Sequence, residues 1–199
     1  MLFRILGRVD VVGDDGEVVV LGASRQRAVL ARLILDANRT VRSAVLVESV
    51  WGEELPVHPE TALQVVVSRL RANLGAYGSR IVADAAGYRL DAGPEEVDLL
   101  WAESLLHEGR QALAGDAPAR AADRFDQALS LWRGSGADDF DEFLYSDGGV
   151  HRLRELRITL VEARNDAYLN DGRHLEVLGD INYWVEAEPL REHLRAQHI

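Results

Sequence analysis

From Thr61 to Gly75 the chain carries no acidic residue, and Leu63, Val67, Leu70 and Leu74 recur at i, i+4, i+7 and i+11. That spacing closes on one narrow stripe of a 3.6-residue helix. A helix with one apolar stripe folds only by docking it on neighbouring elements, so its opposite face must point outward. The same wheel places Thr61, Val65, Ser68 and Ala72 opposite the stripe, with Arg69 and Arg71 flanking them and Gln64 between the two faces. An outward surface of arginine, hydroxyl and amide groups suits a DNA major groove. Arginine bonds guanine bidentately there, and an apolar side chain such as Val65 meets the thymine methyl.

The elements around this helix predict a small mixed domain. Leu2 to Val12 alternates apolar and polar residues, and Gly13-Asp14-Asp15-Gly16 is a turn before the β-branched run Val18-Val19-Val20, which predicts a small antiparallel sheet. Ser24 and Ser43 stand as N-caps of two helices, one with the apolar face Val29, Leu30, Leu33 and Ile34, the other running from Ala44 to Trp51 before Gly52. Trp51, at the end of the second helix, either packs in the core or lies against a DNA backbone, and the core is favoured because buried aromatics dominate core energetics. The third helix spans Pro59 to Leu74, and Arg80-Ile81-Val82 and Tyr88-Arg89-Leu90 are spaced as a hairpin. Sheet, three helices and hairpin make a winged helix with an extra N-terminal antiparallel sheet.

Pro94-Glu95-Glu96 marks a boundary, dividing the chain into residues 1–93 and 94–199. Beyond it helices are expected over Asp98–Ala114, Pro118–Arg133, Val150–Asn170, His174–Glu186 and from Pro189 onward, with a polar loop over Gly134–Gly149. Gly109, Ala121, Phe125 and Ala128 fall at the offsets of a tetratricopeptide pair, where small and aromatic residues let helices cross closely. The second pair matches only at Tyr168 and Pro189, so the repeat is degenerate. The fold class is mainly α with a little β: a winged helix, then an all-α, tetratricopeptide-like domain.

Charge separates the halves. The net charge is −11, yet residues 1–93 hold 11 arginines against 11 acidic residues, so the whole excess lies in residues 94–199. An acidic second half repels a phosphate backbone and suits a basic protein partner. There is no cysteine, which excludes disulfides and thiolate sites. The start lacks the pattern of a signal peptide, and no apolar run approaches a membrane span. The expectation is a cytoplasmic, nucleoid-associated protein with no membrane partner. The six histidines show neither the i, i+4 pairing nor the acidic partner spacing of a zinc hydrolase, Ser24 lacks a nucleophile elbow, and Gly22 belongs to no phosphate-binding loop. No catalytic group, metal or cofactor is therefore expected.

Arg25, Arg27, Arg39 and Arg42 lie at or just before helix starts, where a cation and free backbone N–H groups reach one phosphate together. The runs Ser24-Arg25-Gln26-Arg27-Ala28-Val29-Leu30-Ala31-Arg32-Leu33, Leu46-Val47-Glu48-Ser49-Val50-Trp51-Gly52, Leu63-Gln64-Val65-Val66-Val67-Ser68-Arg69-Leu70-Arg71 and Gly87-Tyr88-Arg89-Leu90 resemble the antibiotic regulatory protein (SARP) family of transcriptional activators. Ala128-Leu129-Ser130-Leu131-Trp132-Arg133-Gly134, Arg152-Leu153-Arg154-Glu155-Leu156-Arg157, Asp171-Gly172-Arg173-His174 and Glu188-Pro189-Leu190-Arg191-Glu192 resemble that family's bacterial transcriptional activator domain. The resemblance covers essentially the full chain. It implies an OmpR-type winged helix that binds promoter direct repeats as side-by-side copies and recruits RNA polymerase holoenzyme, serving a biosynthetic or secondary-metabolite pathway such as antibiotic biosynthesis. By position it implies base readout by Val65 and Arg69. Phosphate or backbone contacts fall to Arg25, Arg27, Arg42, Thr61, Gln64, Ser68, Arg71 and Arg89.

Two departures from the family pattern stand out. The wing carries Asp84-Ala85-Ala86 where relatives often place an arginine, which leaves Arg80 or Arg89 to supply any minor-groove contact. The activator domain of the family continues into further helices, so the last repeat here is expected to be incomplete at Ile199. The alternative reading is a protein-binding adaptor with a degenerate winged helix, favoured by the neutral first half and the acidic wing tip. The acid-free helix face argues against it.

Overall fold

A computed structural model of the chain describes residues 1–134, 148–179 and 181–198. It divides into two compact units: Met1–Trp101 with Arg133–Leu153, and Ala102–Trp132 with Arg154–Ile199.

In the first unit, β1 (Leu2–Arg4) pairs antiparallel with β2 (Asp10–Val12), Phe3 facing Val11. The expected third piece at Val18–Val20 does not form a strand. A single bridge joins Val12 to Val18, and Val18 and Val20 stay exposed, because no layer lies over them to reward burial. Three helices follow: α1 (Ser24–Leu35), α2 (Ser43–Trp51) and α3 (Pro59–Asn73). Ser24 and Ser43 are the first helical residues rather than caps; Ala23 and Arg42 occupy the cap positions without side-chain bonds. The reason at Ser43 is tertiary. The two-residue strand β3 (Val41–Arg42) runs straight into α2, and the backbone N–H of Ser43 donates to the Ala86 carbonyl at 3.1 Å, so an orphan donor of the first turn already has a partner.

β4 (Ile81–Ala83) and β5 (Gly87–Leu90) form the expected hairpin, each shifted by about one residue, and β3 adds to it in the order β3-β5-β4, all antiparallel. Val29, Leu30, Leu33 and Ile34 of α1, Leu46 of α2, Leu63, Val67 and Leu70 of α3, and Ile81 and Leu90 of the hairpin are all buried. Each contributes roughly 1.5–3 kcal/mol relative to exposure.

A buried carboxylate ties the N-terminal segment down. Asp98, 1% exposed, accepts the backbone N–H of Ile5 at 2.9 Å to each oxygen and that of Leu6 at 3.0 Å. The N–H of Phe3 donates to the Glu96 carbonyl at 2.8 Å, and the Leu6 carbonyl accepts from Arg133 N–H at 2.9 Å. The Arg133 side chain bonds Asp10 at 2.9 Å and stands 3.7 Å from Asp98. The compact unit that holds the winged helix thus runs past Gly93, since these backbone groups have their partners at 96–98 and 133.

The second unit is helical, with residues from α4 (Asp98–Ala114), α5 (Pro118–Leu129), α6 (Gly149–Asn170), α7 (His174–Leu178), α8 (Ile181–Ala187) and α9 (Glu192–His198). The helix expected over His174–Glu186 is two short helices, the one expected to reach Arg133 ends at Leu129, and the last starts at Glu192 after a turn in which Arg191 N–H donates to the Glu188 carbonyl. Most of the loop expected at Gly134–Gly149 lies outside the described residues. The tetratricopeptide offsets report a real close crossing. A Cβ on Gly109 would lie 2.2 Å from the Phe125 ring, and Ala121, Phe125 and Ala128 are wholly buried around it. Tyr168 closes the next layer, its hydroxyl donating to Asp126 at 2.6 Å while the Arg173 guanidinium lies 4.2 Å over its ring. Burial pushes the Tyr168 phenol up to about 12, with the Asp126 bond adding to the effect.

Burial pushes the Asp98 carboxyl up from 3.8 to about 6, against the backbone donors and Arg133 that pull it down. A carboxyl raised on folding contributes stability that is complete below the unfolded pKa and is lost as pH rises through the folded one. In urea denaturation, the wild type therefore loses up to about 3 kcal/mol relative to Asp98→Asn between pH 4 and pH 7; a flat difference would contradict this. Gly109→Ala destabilises the protein by about 1–3 kcal/mol through overpacking, read by thermal unfolding, and adding Phe125→Leu recovers part of the loss.

Candidate nucleic-acid interface

The helix–turn–helix begins at β3, which fixes the first turn of α2. Gly52 ends α2 at φ +52°, and Pro59 opens α3 at a position where its missing N–H costs nothing. Burial of Leu63, Val67, Leu70 and Leu74 sets the rotation of α3. Its far end is held by a second tie, Asn73 Nδ2 donating at 2.7 Å to Oε1 of Gln26, itself only 8% exposed on α1.

With that rotation set, Thr61, Gln64, Val65, Ser68 and Arg69 are all exposed. Val65 is 45% exposed, a large apolar side chain held outward on an otherwise polar face. Arg25 from the start of α1 and Trp51 from the end of α2 join Val65, Val66 and Arg69 around a shallow depression of about 350 Å³. The Arg25 guanidinium lies 5.6 Å from the centre of the Trp51 ring, a cation–π contact worth about 0.5–1 kcal/mol at an exposed site. The expectation of a core Trp51 is corrected here. The ring is half-buried, because α2 ends at Trp51 and no following turn covers it. The Arg25 contact that holds the ring beside Val65 and Arg69 was not legible in the sequence, since it joins residues 26 positions apart.

The other expected contact residues are placed variously. Arg42 is exposed at the N-terminus of α2. Arg27 is half-buried, with Nη1 3.4 Å from the Gly22 carbonyl. Arg71 is half-buried on the flank of the helix, its Nε and Nη2 donating to the Ile81 carbonyl at 3.0 and 2.6 Å.

On the wing, Arg89 pairs with Asp91, Nη2 to Oδ2 at 3.1 Å, and Arg80 donates to Glu96 at 2.6 Å. Each cation that could replace the missing wing arginine therefore already faces a carboxylate. Asp84 has a structural use in the wing turn. It accepts the Thr40 hydroxyl and the backbone N–H groups of Ala86 and Gly87, at 2.8 and 3.1 Å. The Thr40 bond, followed by the Ala86 N–H, holds its carboxyl below the usual range.

No helix among the described residues is long and apolar enough to cross a membrane. A family model described as "Transcriptional regulatory protein, C terminal" matches residues 16–90, and one described as "Bacterial transcriptional activator domain" matches residues 97–199. The chain is 32% identical to the regulatory protein DnrI of Streptomyces peucetius, over 100% of this chain and 76% of that relative. It is also 32% identical to the regulatory protein AfsR of Streptomyces griseus, over 97% of this chain, and spans only 19% of that relative's length. Among solved structures, Mycobacterium tuberculosis EmbR in complex with a low affinity phosphopeptide superposes with a TM-score of 0.89 at 30% identity, covering 98% of this chain and 52% of that one. The two matched models, in this order along a chain that aligns throughout with DnrI, place it in a known group: the chain belongs to the antibiotic regulatory protein (SARP) family of transcription regulators, with an OmpR-type DNA-binding domain followed by a bacterial transcriptional activator domain.

Proposed function

We propose that this chain is a sequence-specific DNA-binding transcriptional activator, which binds promoter direct repeats as side-by-side copies and recruits RNA polymerase holoenzyme at promoters of a biosynthetic pathway. It acts in the cytoplasm, on the nucleoid. The observation that carries this reading is the outward face of α3, free of acids from Thr61 onward and presenting Val65 and Arg69 together beside Arg25 and Trp51, with Glu54 on the rim of the same depression. Val65 and Arg69 read base edges in the major groove. Thr61, Gln64 and Ser68 on the same face, with Arg25, Arg27 and Arg42 at helix starts, hold the phosphates on either side. Arg89 contributes least, its charge being matched by Asp91.

The domain assignment that goes with this reading gives residues 1–93 to DNA and residues 94–199 to protein partners. The −11 charge of the second part keeps it off the DNA backbone and suits a basic surface of the polymerase. The neutral first half and Asp84 on the wing favour a rival reading, a protein-binding adaptor without DNA affinity.

Footprinting on promoter fragments that contain direct repeats separates the two, with Arg69→Ala as the informative variant. The expected result is protection of two adjacent repeats that weakens steeply with salt. Arg69→Ala should lose about 1–3 kcal/mol of affinity and relax the preference at one base position. Protection that is absent, or equal on every fragment, rejects DNA reading by this face. Activation is checked separately: adding the protein to purified holoenzyme should raise transcript yield from the protected promoter, and an unchanged or lowered yield rejects it.

A further inference from the structure

Of the arginines on α3, Arg71 is placed unlike Arg69. Its guanidinium reaches over the wing and gives both Nε and Nη2 to one acceptor, the Ile81 carbonyl, at 3.0 and 2.6 Å. That acceptor is an orphan of the sheet. β4 is an edge strand in the order β3-β5-β4, and the Arg80 carbonyl takes the N–H of Asp91 across the hairpin. By the alternation of an antiparallel ladder, the Ile81 carbonyl then points off the open edge. The same guanidinium lies 5.8 Å from the centre of the Tyr88 ring on β5, so one side chain holds both strands. The backbone of Arg71 closes a third contact. Gly78, buried in the 3₁₀ turn Gly75–Arg80, lies so near that a Cβ there would come within 2.3 Å of the Arg71 carbonyl.

We propose that Arg71 is a positioning residue rather than a phosphate ligand: it clamps the wing hairpin to the last turn of the recognition helix, so that the two meet DNA as one rigid piece. The wing fits this role. Arg80 and Arg89 are matched by Glu96 and Asp91, and Asp84 is spent on the turn at the tip, which leaves the hairpin suited to bracing α3. The consequence for DNA rests on the DNA-binding reading above, while the clamp exists in the free protein.

The test compares the full chain with Arg71→Ala and Arg71→Met, the second keeping an unbranched stem against Tyr88 in case the first does not fold. Arg69→Ala serves as control. Hydrogen exchange of the free protein comes first. Both Arg71 variants should speed exchange over residues 81–90 by about fivefold or more, with the helices of the second unit unchanged, and Arg69→Ala should leave residues 81–90 as in the wild type. Fluorescence anisotropy on a labelled 30-base-pair duplex of mixed sequence, titrated with salt, comes second. A phosphate ligand lost lowers the slope of log K against log salt by about one, whereas a lost clamp weakens binding with the slope kept. Unchanged exchange over residues 81–90, or a slope lowered by about one, overturns the proposal. A wild type that fails to bind any duplex removes the DNA-binding reading alone, and the exchange result still decides the clamp.

Discussion

Leu63, Val67, Leu70 and Leu74 are each no more than 2% exposed, and their burial against α1 and α2 fixes how α3 is rotated. Turning the helix by one residue, about 100°, would bring Val65 and Ser68 toward the core and send Leu63 and Val67 into water, at roughly 1.5–3 kcal/mol per large apolar side chain. The packing of the core and the chemistry of the outer face are thus one constraint. The outer face inherits its geometry from the apolar stripe, and the ties Asn73–Gln26 and Arg71–Ile81 hold the far end of the helix to α1 and to the wing.

Charge in the first unit is committed in a similar way. Of its arginines, Arg4 and Arg133 meet Asp10, Arg32 meets Asp36, Arg80 meets Glu96 and Arg89 meets Asp91. Such exposed or half-exposed pairs add little stability, but they remove those cations from the pool that could attract a phosphate backbone. A neutral count of charges over residues 1–93 therefore hides a partition. Arg25, Arg42 and Arg69, on or beside the helix–turn–helix, are exposed and stand in no ion pair among the described residues, whereas the cations flanking the wing face carboxylates.

The N-terminal segment shows why a compact unit need not follow a contiguous stretch of sequence. Ile5 and Leu6 donate their backbone N–H groups to the Asp98 carboxylate, and the Leu6 carbonyl accepts from the Arg133 N–H. A buried backbone group left without a partner costs about 1–3 kcal/mol, so the first strand pair draws residues 96–101 and 133 onward into its own unit. In the second unit the small residue at Gly109 and the ring of Phe125 do the comparable work for a helix crossing.

The sequence by itself determined the three helices of the first unit, the hairpin, the face that α3 exposes and the family, because each rests on local periodicity, turn residues or ordered motifs. It also disclosed the close crossing at Gly109, through spacing alone. Tertiary structure decided what depends on a partner far along the chain. Trp51 lies half-buried under Arg25 because α2 ends there. Ser24 and Ser43 do not cap their helices, in the second case because strand β3 and the Ala86 carbonyl take over the end of α2. Val18–Val20 forms only a bridge to β2 and no strand of its own, with Val18 and Val20 left exposed, and Arg71 bonds the Ile81 carbonyl because an edge strand leaves that acceptor open. Residue type and spacing state which groups a helix can present; only the fold states which of those groups are already engaged.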